Sequence, residues 1–116
     1  MKRDDDYIRE LLFAAEAEDD PHVIAVKTLG ADQEEVRRIY HIDLLSDAGL
    51  MVETGKGVFR LTNQGHDYIE AIRSDTVWKK TKEGAQAVGG ATLNMMKDMA
   101  IAYLKKEAAE KLGIQF

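Results

Sequence analysis

The stretch "HIDLLSDAGLMVETGKGVFRLTNQG", residues 41–65, limits the fold more than any other part of the chain. A helical apolar repeat runs into Asp47, Ala48 and Gly49, where glycine closes a helix as a left-handed cap and Leu50 turns back to the core. "LMVE" and "VFRL" then flank "TGKG", and two alternating runs around a glycine-containing connection specify a β-hairpin. Leu50 and Val52 are expected to face inward with Phe59 and Leu61, with Lys56 at the tip and Arg60 on the outer face, because strand side chains alternate. Thr62 stands where it can cap the next helix.

The helix that ends at Gly49 is predicted over 32–48, opened by Asp32 after Gly30. Its apolar residues make two stripes, Val36, Tyr40 and Leu44 on one side and Ile39, Ile42 and Leu45 on the other, so it is expected to pack on both. The remaining strip, Glu34, Arg37, Arg38 and His41, is left as the solvent or ligand face. Upstream, 4–18 reads as a helix capped by Asp4 or Asp5 with a stripe of Ile8, Leu11, Leu12 and Ala15, and "HVIAVKTL" at 22–29 reads as a short strand. Downstream, Tyr68, Ile69, Ile72 and Thr76 share one side of a third helix that kinks or restarts at Ser74 and Asp75. Gly89 and Gly90 precede a last helix, roughly 91–112, striped by Leu93, Met96, Ala100, Tyr103 and Leu104. Met95, Met99 and Ala102 lie off that stripe, which makes them the expected contact between two copies in a homodimer.

The chain's 116 residues correspond to one domain, with 1–72 as a core and 73–116 as a helical extension. The absence of cysteine excludes disulfides, thiolate zinc sites and cysteine nucleophiles, and suits a reducing, cytoplasmic setting. "MKRDDDYIREL" turns acidic where a secretion signal needs an apolar run, and no stretch approaches the ~20 apolar residues of a membrane span. Residues 1–20 carry three basic and eight acidic side chains, while the rest carries thirteen of each, so the net charge of −5 comes from the N-terminal segment. That acidity opposes indiscriminate nucleic-acid binding but leaves room for a local basic patch.

Candidate chemistry is sparse. His22, His41 and His66 stand 19 and 25 residues apart without an i, i+4 pair, which argues against a metal site. His66 and Asp67 are helix neighbours that point in different directions, so they make no acid–base pair. "ETGKG" and "VGGAT" lack the phosphate-loop pattern, and neither Ser46 nor Ser74 sits in a nucleophile elbow. Trp78 with Lys79, Lys80 and Lys82 could stack on a base, or Trp78 could anchor a helix in the core beneath solvated lysines. No cofactor, metal or catalytic group is expected, and the chain reads as non-enzymatic.

The order strand, helix ending in "DAGLM", hairpin and "LTNQG" resembles a winged helix, and "HIDLLSDAGLM" resembles the recognition helix of winged-helix repressors. The resemblance implies an α+β, mainly helical fold: helix, short strand, recognition-like helix and two-stranded wing, followed by two further C-terminal helices. It implies that Arg37, Arg38 and His41 face the major groove of double-stranded DNA and that Lys56 and Arg60 meet phosphates. Two features pull the other way. Only ten residues separate Pro21 from Asp32, too few for the usual supporting helix, and residues 32–48 hold five acids against two arginines, the reverse of what phosphate binding needs. Across nearly the whole chain, "MKRDDDYIRELL", "YHIDLLSDAGLM" and "LTNQGHDYIEAIRSDTVWKKTK" resemble a family of small proteins found often in phages and prophages and catalogued as a domain of unknown function. The expectations are therefore a phage-type DNA-binding regulator or, alternatively, a protein-interaction module on a winged-helix frame that no longer binds DNA.

Overall fold

The computed structural model describes residues 1–115. Its elements follow in the order α1 (Asp5–Ala17), β1 (Val23–Ile24), α2 (Gln33–Asp47), β2 (Met51–Gly55), β3 (Val58–Leu61), α3 (Asn63–Ile72), α4 (Asp75–Ala87) and α5 (Leu93–Leu112). The fold is α+β and mainly helical, with one antiparallel sheet in the order β1-β3-β2. Two compact units divide the chain, Met1–His66 and Asp67–Phe116, and the boundary falls inside α3.

In the first unit α1 is capped as expected: the Asp4 side chain accepts from the Tyr7 N–H, and Ile8 and Leu12 on the apolar stripe are fully buried. Asp32 caps α2 in the same way through the Glu35 N–H. The end of α2 is a Schellman motif. Gly49 takes φ +79° and donates to Ser46 O at 3.0 Å, and Leu50 donates to Leu45 O at 2.9 Å, which swings Leu50 back into the core.

That motif shifts the hairpin register by one residue from the expected pattern. Leu50 belongs to the helix return, so the strand starts at Met51, which pairs with Leu61 and is buried, while Val52 pairs with Arg60 and faces outward. A single-residue slip exchanges the two faces of a strand. Phe59 stays in the core. The expected strand over 22–29 shrinks to two paired residues, Val23 with Phe59 and Ile24 with Val58, because Val58 is the first residue of β3 and the hairpin turn lies beyond it. Ala25 adds one bond to Gly57 O at 2.7 Å, after which the chain leaves the sheet and exposes Leu29 completely.

The exit from the hairpin is locked to the end of α2. Thr62 donates from its N–H to Leu50 O at 3.1 Å and from its hydroxyl to Gly49 O at 2.6 Å, and its Oγ1 accepts from the Gly65 N–H at 3.1 Å. Gly65 lies so close to Leu50 that a Cβ there would strike the Leu50 carbonyl oxygen.

In the second unit α3 stops at Ile72 and Ser74 caps a separate α4, its Oγ accepting from the Val77 N–H. Trp78 is buried, with Lys82 Nζ 5.5 Å above its ring, in keeping with a core anchor under a cationic cover. Helix α5, capped by Thr92 and ended by Gly113 at φ +69°, packs on α4 where Gly84 admits Met99 and Tyr103. Leu93, Met96 and Ala100 are its buried residues.

Candidate interaction surface

Which side of α2 faces outward decides what the first unit can touch. Ile39, Ile42 and Leu45 form the buried side, and His41 is buried with them at 0 % exposure. The expectation that His41 lines an outward strip with Arg37 and Arg38 is therefore corrected. The cause is polar: His41 Nδ1 lies 2.8 Å from Arg37 O, and Nε2 lies 3.0 Å from the Asp4 N–H. A carbonyl can only accept and an amide N–H can only donate, so the ring is held with its proton on Nδ1 and joins α2 to the start of α1. Tyr7 and Tyr40 pack edge-on against it, with ring centres at 5.0 and 5.6 Å.

The two arginines are occupied within the unit. Arg37 donates to Asp4 Oδ2 at 2.7 Å, lies 3.7 Å from Glu34 and stacks 3.8 Å from the Tyr7 ring centre. Arg38 donates to Glu35 at 2.9 Å and to Ile24 O at 2.9 Å. Asp4 is held below the usual carboxylate range mainly by the Tyr7 N–H, against the opposing effect of burial and with Arg37 helping. The Tyr7 phenol is pushed up chiefly by burial, with Glu34 adding to the rise and Arg37 opposing it.

One side of α2 carries Val36, Tyr40, Asp43 and Asp47 at i, i+4, i+7 and i+11, all within about 40° of Val36 at ~100° per residue; Val36 and Asp47 are exposed and Tyr40 and Asp43 half-buried. Val36 is 46 % exposed. Val36, Ile39 and Tyr40 line a cleft of about 330 Å³ that Lys27, Ala31 and Asp43 border. Lys27 reaches Asp43 only at 3.8 Å, with the lysine largely and the aspartate partly in solvent, so the pair contributes little. Helical spacing alone places Val36 and Tyr40 on a second apolar stripe expected to be packed, and the structure leaves Val36 exposed and Tyr40 half-buried. The readable contrary signal was that Asp43 and Asp47 share that side, which a buried face would exclude.

On the hairpin Lys56 stands exposed at the tip as expected, beside Gly57, whose N–H bonds Glu53 Oε2 at 2.9 Å. Arg60 is exposed on β3, yet it shares a cleft with Glu16, Glu18 and Asp19 at the acidic end of α1. On α5 Met95 and Ala102 are exposed, while Met99 is half-buried where it meets Gly84. Among the described residues no three His, Asp or Glu side chains gather to hold a metal ion, and no helix is long and apolar enough to cross a membrane.

The fold and its polar cluster define a mainly helical α+β protein with a three-stranded antiparallel sheet, in which His41 and Arg37 tie two helices together. The chain belongs to the family described as "Hypothetical protein (DUF2513)", whose model matches residues 2–92 and stops at the cap of α5. It is 34% identical over 92 residues to an uncharacterized protein of Haemophilus influenzae (strain Rd), a match covering 71% of this chain and 76% of that protein. No solved structure matches the chain significantly.

Proposed function

We propose that the chain is a non-enzymatic protein-interaction module built on a winged-helix-like frame, with the outward side of α2 as its contact surface. The frame is supported by the helix before β1, the sheet order β1-β3-β2 and the hairpin that follows α2 directly. One helix stands where the helix-turn-helix arrangement has two. The observation that carries the reading is the orientation of α2. Its arginines bond to Asp4, Glu35 and Ile24 O, and another side offers exposed Val36 and Asp47 with half-buried Tyr40 and Asp43 between them. Carboxylates on that side would repel phosphates, whereas an apolar strip between them suits a protein. The resemblance to phage and prophage proteins makes a host or phage protein the partner class to examine.

A duplex-binding reading rests on the hairpin alone, through Lys56 at its tip. Anisotropy of labelled duplex DNA at low salt separates the two. The interaction reading expects only weak binding that Arg37→Ala and Arg38→Ala leave unchanged. It also expects a photo-crosslinking residue at position 40 to capture protein rather than nucleic acid. Tight, steeply salt-dependent duplex binding lost in Arg37→Ala would reverse the choice.

A further inference from the structure

The outward side of α2 has the shape and charge to take one kind of partner. Val36, Tyr40 and Asp43 form a ridge at i, i+4 and i+7, the spacing along which a second helix packs ridge into groove. The segment from Ala25 to Asp32, which leads into α2, contains no helix and borders the cleft through Lys27, Thr28 and Ala31, while Val36 stays 46 % exposed. The cleft beside it, about 330 Å³, has an apolar floor of Val36, Ile39 and Tyr40. Among the described residues the cleft is lined by one cation and one carboxylate, Lys27 and Asp43, 3.8 Å apart; beyond it the charge is acidic, with Asp47 further along the ridge and Asp32 at its N-terminal end. Residues 1–66 as a whole hold eight Lys and Arg against fourteen Asp and Glu.

We infer that this surface docks a basic amphipathic helix of a partner protein. An aliphatic side chain of that helix enters the Val36–Ile39–Tyr40 cleft, and flanking Lys or Arg residues pair with Asp43 and Asp47. The inference rests on the interaction reading above and adds the chemistry of the occupant. An amphipathic helix lying in a groove is read through anchors at i, i+3, i+4 and i+7, and charge of the opposite sign on its flanks sets orientation and partner choice. A second copy of the same face is disfavoured because the two acidic rims would oppose each other.

The test is an amide-NMR titration of the full chain with three synthetic helical peptides of one apolar pattern, their polar positions filled by Lys, Gln or Glu. The Leu/Lys peptide should shift Val36, Tyr40 and Asp43 and bind at least about tenfold tighter than the Leu/Gln peptide. Val36→Asp should abolish binding although it adds negative charge. Asp43→Asn with Asp47→Asn should weaken it by roughly fivefold to tenfold. Glu18→Gln with Asp19→Asn, at the end of α1, should leave it unchanged. Val36 is half in solvent, so both Val36→Asp and the milder Val36→Gln should keep a folded spectrum.

Shifts that map to the end of α1, or binding indifferent to Val36→Asp, would mean general charge attraction and overturn the inference. Equal binding of the Leu/Gln or Leu/Glu peptide at α2 would overturn the basic partner while leaving the interaction surface standing. Failure of every peptide at α2, together with tight binding of duplex DNA, would remove both readings.

Discussion

Gly65 offers the most direct test of how the hairpin, α2 and α3 are joined. A Cβ built there meets the Leu50 carbonyl oxygen far inside van der Waals contact, and Leu61 Cδ2 at 3.4 Å. Glycine to alanine in a helix would otherwise stabilise by up to about 1 kcal/mol. Here the obstacle is backbone held by its own bonds: Leu50 O accepts from Thr62, and Leu50 N–H is committed to Leu45. Relief requires the first turn of α3, residues 63–66, to move off Leu50, straining the Thr62 bonds to Gly49 and Gly65. Overpacking of this kind costs about 1–3 kcal/mol, so Gly65→Ala should destabilise by a net ~1–2 kcal/mol. Gly84→Ala is the control, because a Cβ there meets only the flexible ends of Tyr103 and Met99, at 3.1 and 3.3 Å. It should be neutral or more stable by up to about 1 kcal/mol. Urea unfolding followed by far-ultraviolet circular dichroism reads the difference as a midpoint shift of roughly 1 M at unchanged slope. A Gly65→Ala protein as stable as the parent would refute the close approach of Gly65, in the first turn of α3, to Leu50.

Gly49→Ala should cost about 1 kcal/mol, since φ +79° is a left-handed conformation that glycine adopts freely and alanine does not. Nitrogen NMR of His41 should find the proton on Nδ1 and Nε2 as acceptor, and His41→Ala should destabilise by about 1–3 kcal/mol by leaving the Asp4 N–H without its partner; the opposite tautomer would dismantle the α1–α2 link. Because the Asp4 carboxyl titrates below its ordinary value, its charge stabilises the fold above the unfolded value near 3.8, and that contribution is lost as pH falls through the lower folded value. Asp4→Asn keeps a capping side chain but not the charge, so its stability deficit should be present at neutral pH and vanish in the most acid part of the titration. If Met95 and Ala102 join two copies, sedimentation at high concentration should show a dimer that Met95→Glu dissociates, and a monomer throughout would exclude that contact.

Local signals were legible where a short segment decides its own conformation. Asp4, Asp32, Thr62 and Ser74 stand at helix starts, and each side chain accepts a backbone N–H there. Gly49 stops α2, and the hairpin forms around Lys56 and Gly57. Such features cost or gain free energy within a few residues, so composition and spacing are sufficient to place them. Errors began where one residue could serve two neighbours. Leu50 fits equally well as a strand start or as the last residue of a Schellman return, and that choice fixed whether Met51 or Val52 went into the core.

The candidate surface depended still more on packing. Helical periodicity divides α2 into stripes without saying which stripe another element will cover. Arg37, Arg38 and His41 look outward in a list of polar residues, yet His41 is buried and the two half-exposed arginines are bonded within the chain, because Asp4, Tyr7 and Ile24 O arrive from elsewhere to receive them. Sequence by itself determined the helices, their caps, the glycine stop and the hairpin, since each follows from local hydrogen bonding and allowed backbone angles. Only tertiary structure decided that the basic strip of α2 would bond to the start of α1 and to β1 and that Val36 would meet the outside, because burial is settled by which distant residues complete the remaining hydrogen bonds.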